Sequence, residues 1–257
     1  VTPPWLFAVS GIATVLILPK EPSSAEQPNQ LFDRSQVLDQ LRPPAHAPEF
    51  SRVFAARTCM MAGVGLTGVF LWYLVRFWVY GKAVVLTSAP LTIPAGFLIA
   101  GMAVATLIGA ALASWAAGPI SERIEEKNIP VARVVAGACL LYAIGLGLAW
   151  GLGVWSTGTA RENGMLLFAL ISGFAFGIYD SLGLELVMDS LPDPRRAGHD
   201  LGIYALANSA GLALAAIIGA LLVNAFEHSF GYYLLFPSAI VMVLLAGIVT
   251  LTTKSAE

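Results

Sequence analysis

Residues 131–150 read VARVVAGACLLYAIGLGLAW, and their one charge is Arg133, near the start. As a helix, an apolar run of this length covers about 30 Å, the thickness of a bilayer's hydrocarbon. Backbone amides in lipid must be satisfied within their own segment, so the run predicts a transmembrane helix. Working outward, the pattern repeats. Apolar stretches occupy 53–80, 93–117, 165–187, 201–225 and 230–251, and a shorter one fills 4–18. These seven segments predict an all-α integral membrane protein. Charged residues are 12% of the chain, hydrophobic residues 57%, and the mean hydropathy is +0.76. A soluble domain carries about 25% charged residues, so these charges are too few to cover a water-facing surface.

The stretches differ in what separates them. Residues 19–52 form the one long polar segment, with Pro19, Pro22, Pro28, Pro43, Pro44 and Pro48. Its prolines and mixed charges read as a linker, with one short helix over 33–41. The domain organisation is therefore a first helix at 1–18, a linker at 19–52 and a six-helix bundle at 53–257. The first residue is valine and the 4–18 stretch is short, so it reads as the remnant of a helix from a longer membrane protein.

Orientation follows from the basic residues, which concentrate on the cytoplasmic side of short connections. Lys20, Arg34, Arg42, Arg52, Arg57, Arg123, Lys127, Arg133, Arg195, Arg196 and Lys254 fall on one side; Arg76, Lys82 and Arg161 fall on the other. The majority side predicts a cytoplasmic linker and C-terminus, in a plasma or inner membrane. Trp72, Tyr73, Trp78, Tyr80, Trp150, Trp155, Tyr232 and Tyr233 cluster at the opposite borders as an aromatic belt.

Several classes of function find no support. Cys59 and Cys139 lie inside spans and read as inert thiols. His46, His199 and His228 have no metal-ligand spacing, so no metal or cofactor is expected. There is no phosphate-cradling Gly-rich loop, no serine–histidine arrangement and no basic stripe for nucleic acid. An enzyme is the least supported class.

Small residues recur at every fourth position in two spans: Gly101, Ala105, Gly109, Ala113 and Ala117 in one, Ala207, Gly211, Ala215 and Gly219 in the other. That spacing puts them on one helix face, where backbones can approach closely. The ladders serve either static packing or a surface along which helix bundles rock. Asp180 and Glu185 interrupt another apolar span. A carboxylate at that depth is costly and faces protein or water. Asp180 reads as a proton acceptor, a cation ligand, a gate, or half of a structural pair with Arg57 at similar depth; Glu185 reads as a partner for Arg123.

The connection Gly118-Pro119-Ile120-Ser121-Glu122-Arg123-Ile124-Glu125-Glu126-Lys127 resembles the cytoplasmic loop signature of the major facilitator superfamily. That signature is Gly-x-x-Ser/Ala-Asp/Glu-Arg-x-Gly followed by two basic residues. Gly118, Ser121, Glu122, Arg123 and Lys127 fit it; Glu125 and Glu126 depart from it. The run from Tyr179 to Gly211 is similar to the link between the tenth and eleventh helices of members related to sugar–cation symporters. It is carried by Asp180, Asp189, Leu191-Pro192, Arg195-Arg196, Gly198, Asp200-Leu201-Gly202-Ile203 and Asn208.

The resemblance implies the last helix of a first half, a central loop and a complete second half of a twelve-helix transporter. It implies a secondary transporter moving a small solute by alternating access, with H+ or Na+ coupling, in which a missing N-terminal six-helix half is the partner. It assigns the 53–80 and 165–187 spans to the cavity wall and the two ladder spans to the contact with the other bundle. Candidate substrate or coupling residues are then Arg57, Thr67, Trp72, Tyr73, Tyr179 and Asp180. The candidate gate comprises Gly118, Ser121, Glu122, Arg123, Lys127 and Glu185. The rival reading is a non-transporting membrane scaffold or assembly protein that keeps half of the fold.

Overall fold

The computed structural model describes residues 48–80, 93–155, 159–191, 197–226 and 228–253, all within one compact unit, Arg42–Glu257. The expected 1–18 helix, the short 33–41 helix and most of the linker lie outside the described residues. Helix α1 runs Pro48–Gly68 and continues through the short α2, Leu71–Tyr73, into a π-helical turn, Leu74–Val79. Then follow α3 (Ile93–Glu126), α4 (Val131–Trp155), α5 (Thr159–Asp189), α6 (Ala197–Ala225) and α7 (His228–Leu251). Six of these stretches are long and apolar enough to cross a membrane. The described residues form no strand.

Three features correct the sequence reading. The first bundle helix begins at Pro48 rather than at 53, because proline suits the first helical turn and Glu49 is favourable there. The 53–80 span is not one regular helix. A turn at 69–70 and the wider π-turn interrupt it, with the Tyr80 amide donating to the Val75 carbonyl, five residues back, at 3.2 Å. The signature run at 118–127 is not a loop. α3 continues through Pro119 to Glu126, since Glu122, Arg123, Glu125 and Glu126 are good helix formers. Asn128 then stops the helix at φ 51, a left-handed conformation that Asn tolerates. The Ile129 and Asn128 amides close the end on the Ile124 and Glu125 carbonyls at 3.0 and 3.2 Å, and Pro130 prevents continuation.

The helices pack as two groups. α5 lies against α3 and α4, while α1 lies against α6 and α7; α4 and α7 join the groups. Along the remaining seam, between α1 and α5, the helices meet sparsely. Phe50, Met60, Leu66, Leu146, Met165, Phe236 and Val243 are fully buried. Polar contacts tie the two ends of the 48–79 span to its neighbours. Arg52 pairs with Glu49 at 2.6 Å and donates to the Thr252 carbonyl at 3.1 Å. At the other end, within the π-turn, Arg161 on α5 donates to the Trp78 carbonyl at 2.9 Å.

The ladders are occupied inside this bundle. A Cβ on Gly109 would run into the Leu170 carbonyl and come within 2.7 Å of the Phe174 amide nitrogen; one on Gly173 would strike the Thr106 carbonyl. Gly211 faces α1 in the same manner, with the Thr58 carbonyl 2.7 Å from an added Cβ, and Gly65 meets the Ala215 methyl. The expectation that these faces await a missing bundle is therefore corrected. What α3 and α6 leave open is their other side: Phe97, Leu107, Ile108 and Trp115 on α3, Ile217 and Leu221 on α6.

Candidate functional site

Arg57 sits two and a half turns into α1, and its side chain is 9% exposed. An unpaired charge so placed would be strongly unfavourable in a low-dielectric interior. Its neighbours from two other helices supply the compensation. Nη1 lies 2.7 Å from Oδ1 of Asp180 on α5. Nε donates to Oδ1 of Asn208 on α6, also at 2.7 Å. Three aromatic rings surround the guanidinium, with centroids at 5.7 Å for Phe176, 5.6 Å for Tyr179 and 5.7 Å for Tyr204. Each ring presents its negative face to the cation.

The two charges are held unequally. Asp180 is 56% exposed, and Ser181 beside it bonds back to the Gly177 carbonyl at 2.8 Å. A half-exposed carboxylate in a membrane helix faces water or protein rather than lipid. Ser181 and Glu185 are exposed on the same helix, so Asp180 does not stand alone as a polar residue on that surface.

Of the sequence candidates, Arg57, Tyr179 and Asp180 are brought together. Thr67 is buried and donates to the Val64 carbonyl at 3.1 Å, with the Tyr142 hydroxyl as a further partner. It belongs to the core, about 15 Å along α1 from Arg57 by helix rise. Trp72 and Tyr73 lie still further along. Tyr73 is half-exposed and stacks on Phe77 and Tyr232, each at 6.2 Å between centroids. Tyr80 closes that end, where burial first, and then the hydrogen bond and charge of Glu162, push its hydroxyl up to about 12.

The gate residues are placed apart. Glu122, Arg123 and Lys127 are exposed along the last turn of α3 and just beyond it, and Glu185 is exposed on α5. Among the described residues Arg123 and Glu185 form no ion pair, so that pairing is corrected for this conformation. Gly118 is exposed and Ser121 half-buried on the same helix.

Two cage residues, Phe176 and Tyr204, escaped the sequence reading, and Asn208 entered it through the resemblance alone, with no role at Arg57. Uncharged, they blend into apolar helices. Spacing could have found them, because Phe176 precedes Asp180 by four positions and Tyr204 precedes Asn208 by four, the interval that puts two side chains on one face.

A family model described as Major Facilitator Superfamily matches residues 102–257, more than half of the chain. No curated protein and no solved structure matches.

Proposed function

The chain belongs to the major facilitator superfamily of membrane transporters, and on that premise we propose that it forms the C-terminal bundle of a secondary transporter. In this reading it moves a small solute by alternating access, and Asp180 couples an ion or proton to that movement. The observation that carries it is the Arg57–Asp180 pair. One member is caged inside the bundle; the other stands half-exposed about two and a half turns before the end of an apolar helix. A purely structural pair has little reason to leave its carboxylate in the open. A coupling carboxylate must alternate between a partner and solvent, and this one is positioned to do both. The open apolar sides of α3 and α6 supply a surface for a second six-helix bundle, which alternating access requires.

The expected orientation places the C-terminus in the cytoplasm, with the α3 end carrying Glu122, Arg123 and Lys127 as a cytoplasmic latch. Arg123 and Glu185 come together in this proposal when the inside closes, and they are apart in the arrangement described above.

The test is Asp180→Asn in proteoliposomes made with the protein as its own gene expresses it. Gradient-driven accumulation should be abolished while solute exchange persists, because exchange needs no net movement of the coupling ion. Accumulation at the normal level by the Asn variant would remove the coupling role. Failure of both accumulation and exchange, with folded protein present, would point to the scaffold reading.

A further inference from the structure

We infer that the Arg57 cage is the binding seat of a small organic anion, and that Asp180 occupies that seat when the anion is absent. The inference deepens the transporter reading and rests on it, by naming the substrate as a carboxylate-bearing monoanion.

The asymmetry of the pair carries the argument. Arg57 is fixed by four contacts that do not involve Asp180: the Asn208 carbonyl oxygen and the faces of Phe176, Tyr179 and Tyr204. Asp180 is fixed by one contact, the 2.7 Å bond to Nη1, and the rest of its side chain is open. A site built to take a cation would show the reverse, a held carboxylate and an exchangeable positive group. Here the positive group is the fixture and the carboxylate is the removable part.

Charge balance says what can replace it. A guanidinium stays protonated at any physiological pH, so Arg57 cannot be neutralised by losing its proton. A charge buried to this extent needs an opposite charge nearby. Asp180 can therefore leave Nη1 readily when another anion arrives there. A carboxylate is a strong hydrogen-bond partner for a guanidinium, and Asp180 shows that a carboxylate oxygen fits at Nη1, at 2.7 Å. The titratable groups that face the pair are Tyr179 on α5, Tyr204 on α6 and, behind Tyr179, Cys139 on α4. Among the described residues, the ion pair of Arg57 is with Asp180.

Exchange at this point has a mechanical consequence. α1 and α5 meet sparsely along their seam, so the Arg57–Asp180 bond is a principal polar link across it. Seating a substrate carboxylate on Arg57 breaks that ion pair and frees Asp180 for solvent, while the Phe176 and Tyr179 rings of α5 keep their contact with the guanidinium.

Counterflow in proteoliposomes with radiolabelled benzoate, lactate and acetate as carboxylate probes, and choline and sucrose as the others, tests the inference. At least one carboxylate should exchange. Arg57→Lys, which retains the charge but loses the fork and the bond to Asn208, should weaken its half-saturation tenfold or more. Asp180→Asn should tighten it severalfold, because the internal competitor is gone. A cation site predicts the opposite for Asp180→Asn. To guard against misfolding of Arg57 variants, Arg57→Gln combined with Asp180→Asn should appear in the membrane at normal levels and bind no carboxylate. Choline or sucrose exchange that carboxylates do not inhibit overturns the inference and leaves the transporter reading standing. Weakened carboxylate binding in Asp180→Asn, or no binding of any carboxylate probe by folded protein, also overturns it.

Discussion

At the scale of single residues, charge was the readable signal. An Arg and an Asp in apolar runs cost enough to require a reason, so Arg57 and Asp180 stood out in the sequence, and depth along the helices suggested their pairing. The neighbours that hold Arg57 carry no such cost, and Phe176 and Tyr204 remained hidden among apolar residues. Asn208 is the informative one. Its carbonyl oxygen accepts from the Arg57 Nε at 2.7 Å, and a leucine there would leave a buried donor without its partner. Asn208→Leu is expected to cost about 1–3 kcal/mol. Cys139 is fully buried, so the rate at which a thiol-reactive dye reports its exposure on heating provides the measurement. Ser209→Ala, at the exposed neighbouring position, should unfold with the parent. Equal melting of the two variants would mean that the Asn208 bond contributes nothing to holding the cage.

At the scale of elements, hydropathy located each described helix but misjudged where several stop. Gly118-Pro119 reads as a breaker pair, yet α3 runs on to Glu126. A proline forfeits one backbone bond and strains one turn, and the helix-forming residues after it outweigh that loss locally. The glycine ladders were legible as faces, whereas their partners were not, because spacing alone does not say which helix lies opposite. The structure puts α5 against one and α1 against the other. Gly173→Leu should therefore force α3 and α5 apart at Thr106, and overpacking of this kind costs about 1–3 kcal/mol or more. Gly147→Ala, where an added Cβ meets nothing within 4 Å, should be tolerated. The folded fraction in size-exclusion chromatography distinguishes them. Comparable recovery of both variants would show that the α3–α5 contact is loose enough to admit a leucine.

At the scale of the whole molecule, the six-helix architecture followed from composition and hydropathy, while the pairing of helices did not. Sequence order puts α1 beside α3, but its packing is with α6 and α7, an arrangement set by side chains distant in the chain. Charge sets the expected orientation in the membrane. The basic residues near α1's start, α3's end and the α5–α6 connection should lie on the cytoplasmic side, because Lys and Arg are retained there during insertion. Counting the six bundle helices from that side places the α4–α5 connection outside. In a background with Cys59 and Cys139 replaced by serine and alanine, Thr157→Cys should react with an impermeant maleimide added to intact cells. Asp193→Cys should react only after the membrane is opened. The two positions are separated by the full length of α5, which is 31 residues, or about 45 Å by helix rise. That exceeds the hydrocarbon thickness, so one helix cannot present both positions to the same side without lying along the surface. Equal labelling of both in intact cells would contradict the transmembrane placement of α5, and with it the depth assigned to Asp180. Reversed labelling would keep the spans, put the α3 end outside and remove the cytoplasmic latch from the proposed mechanism.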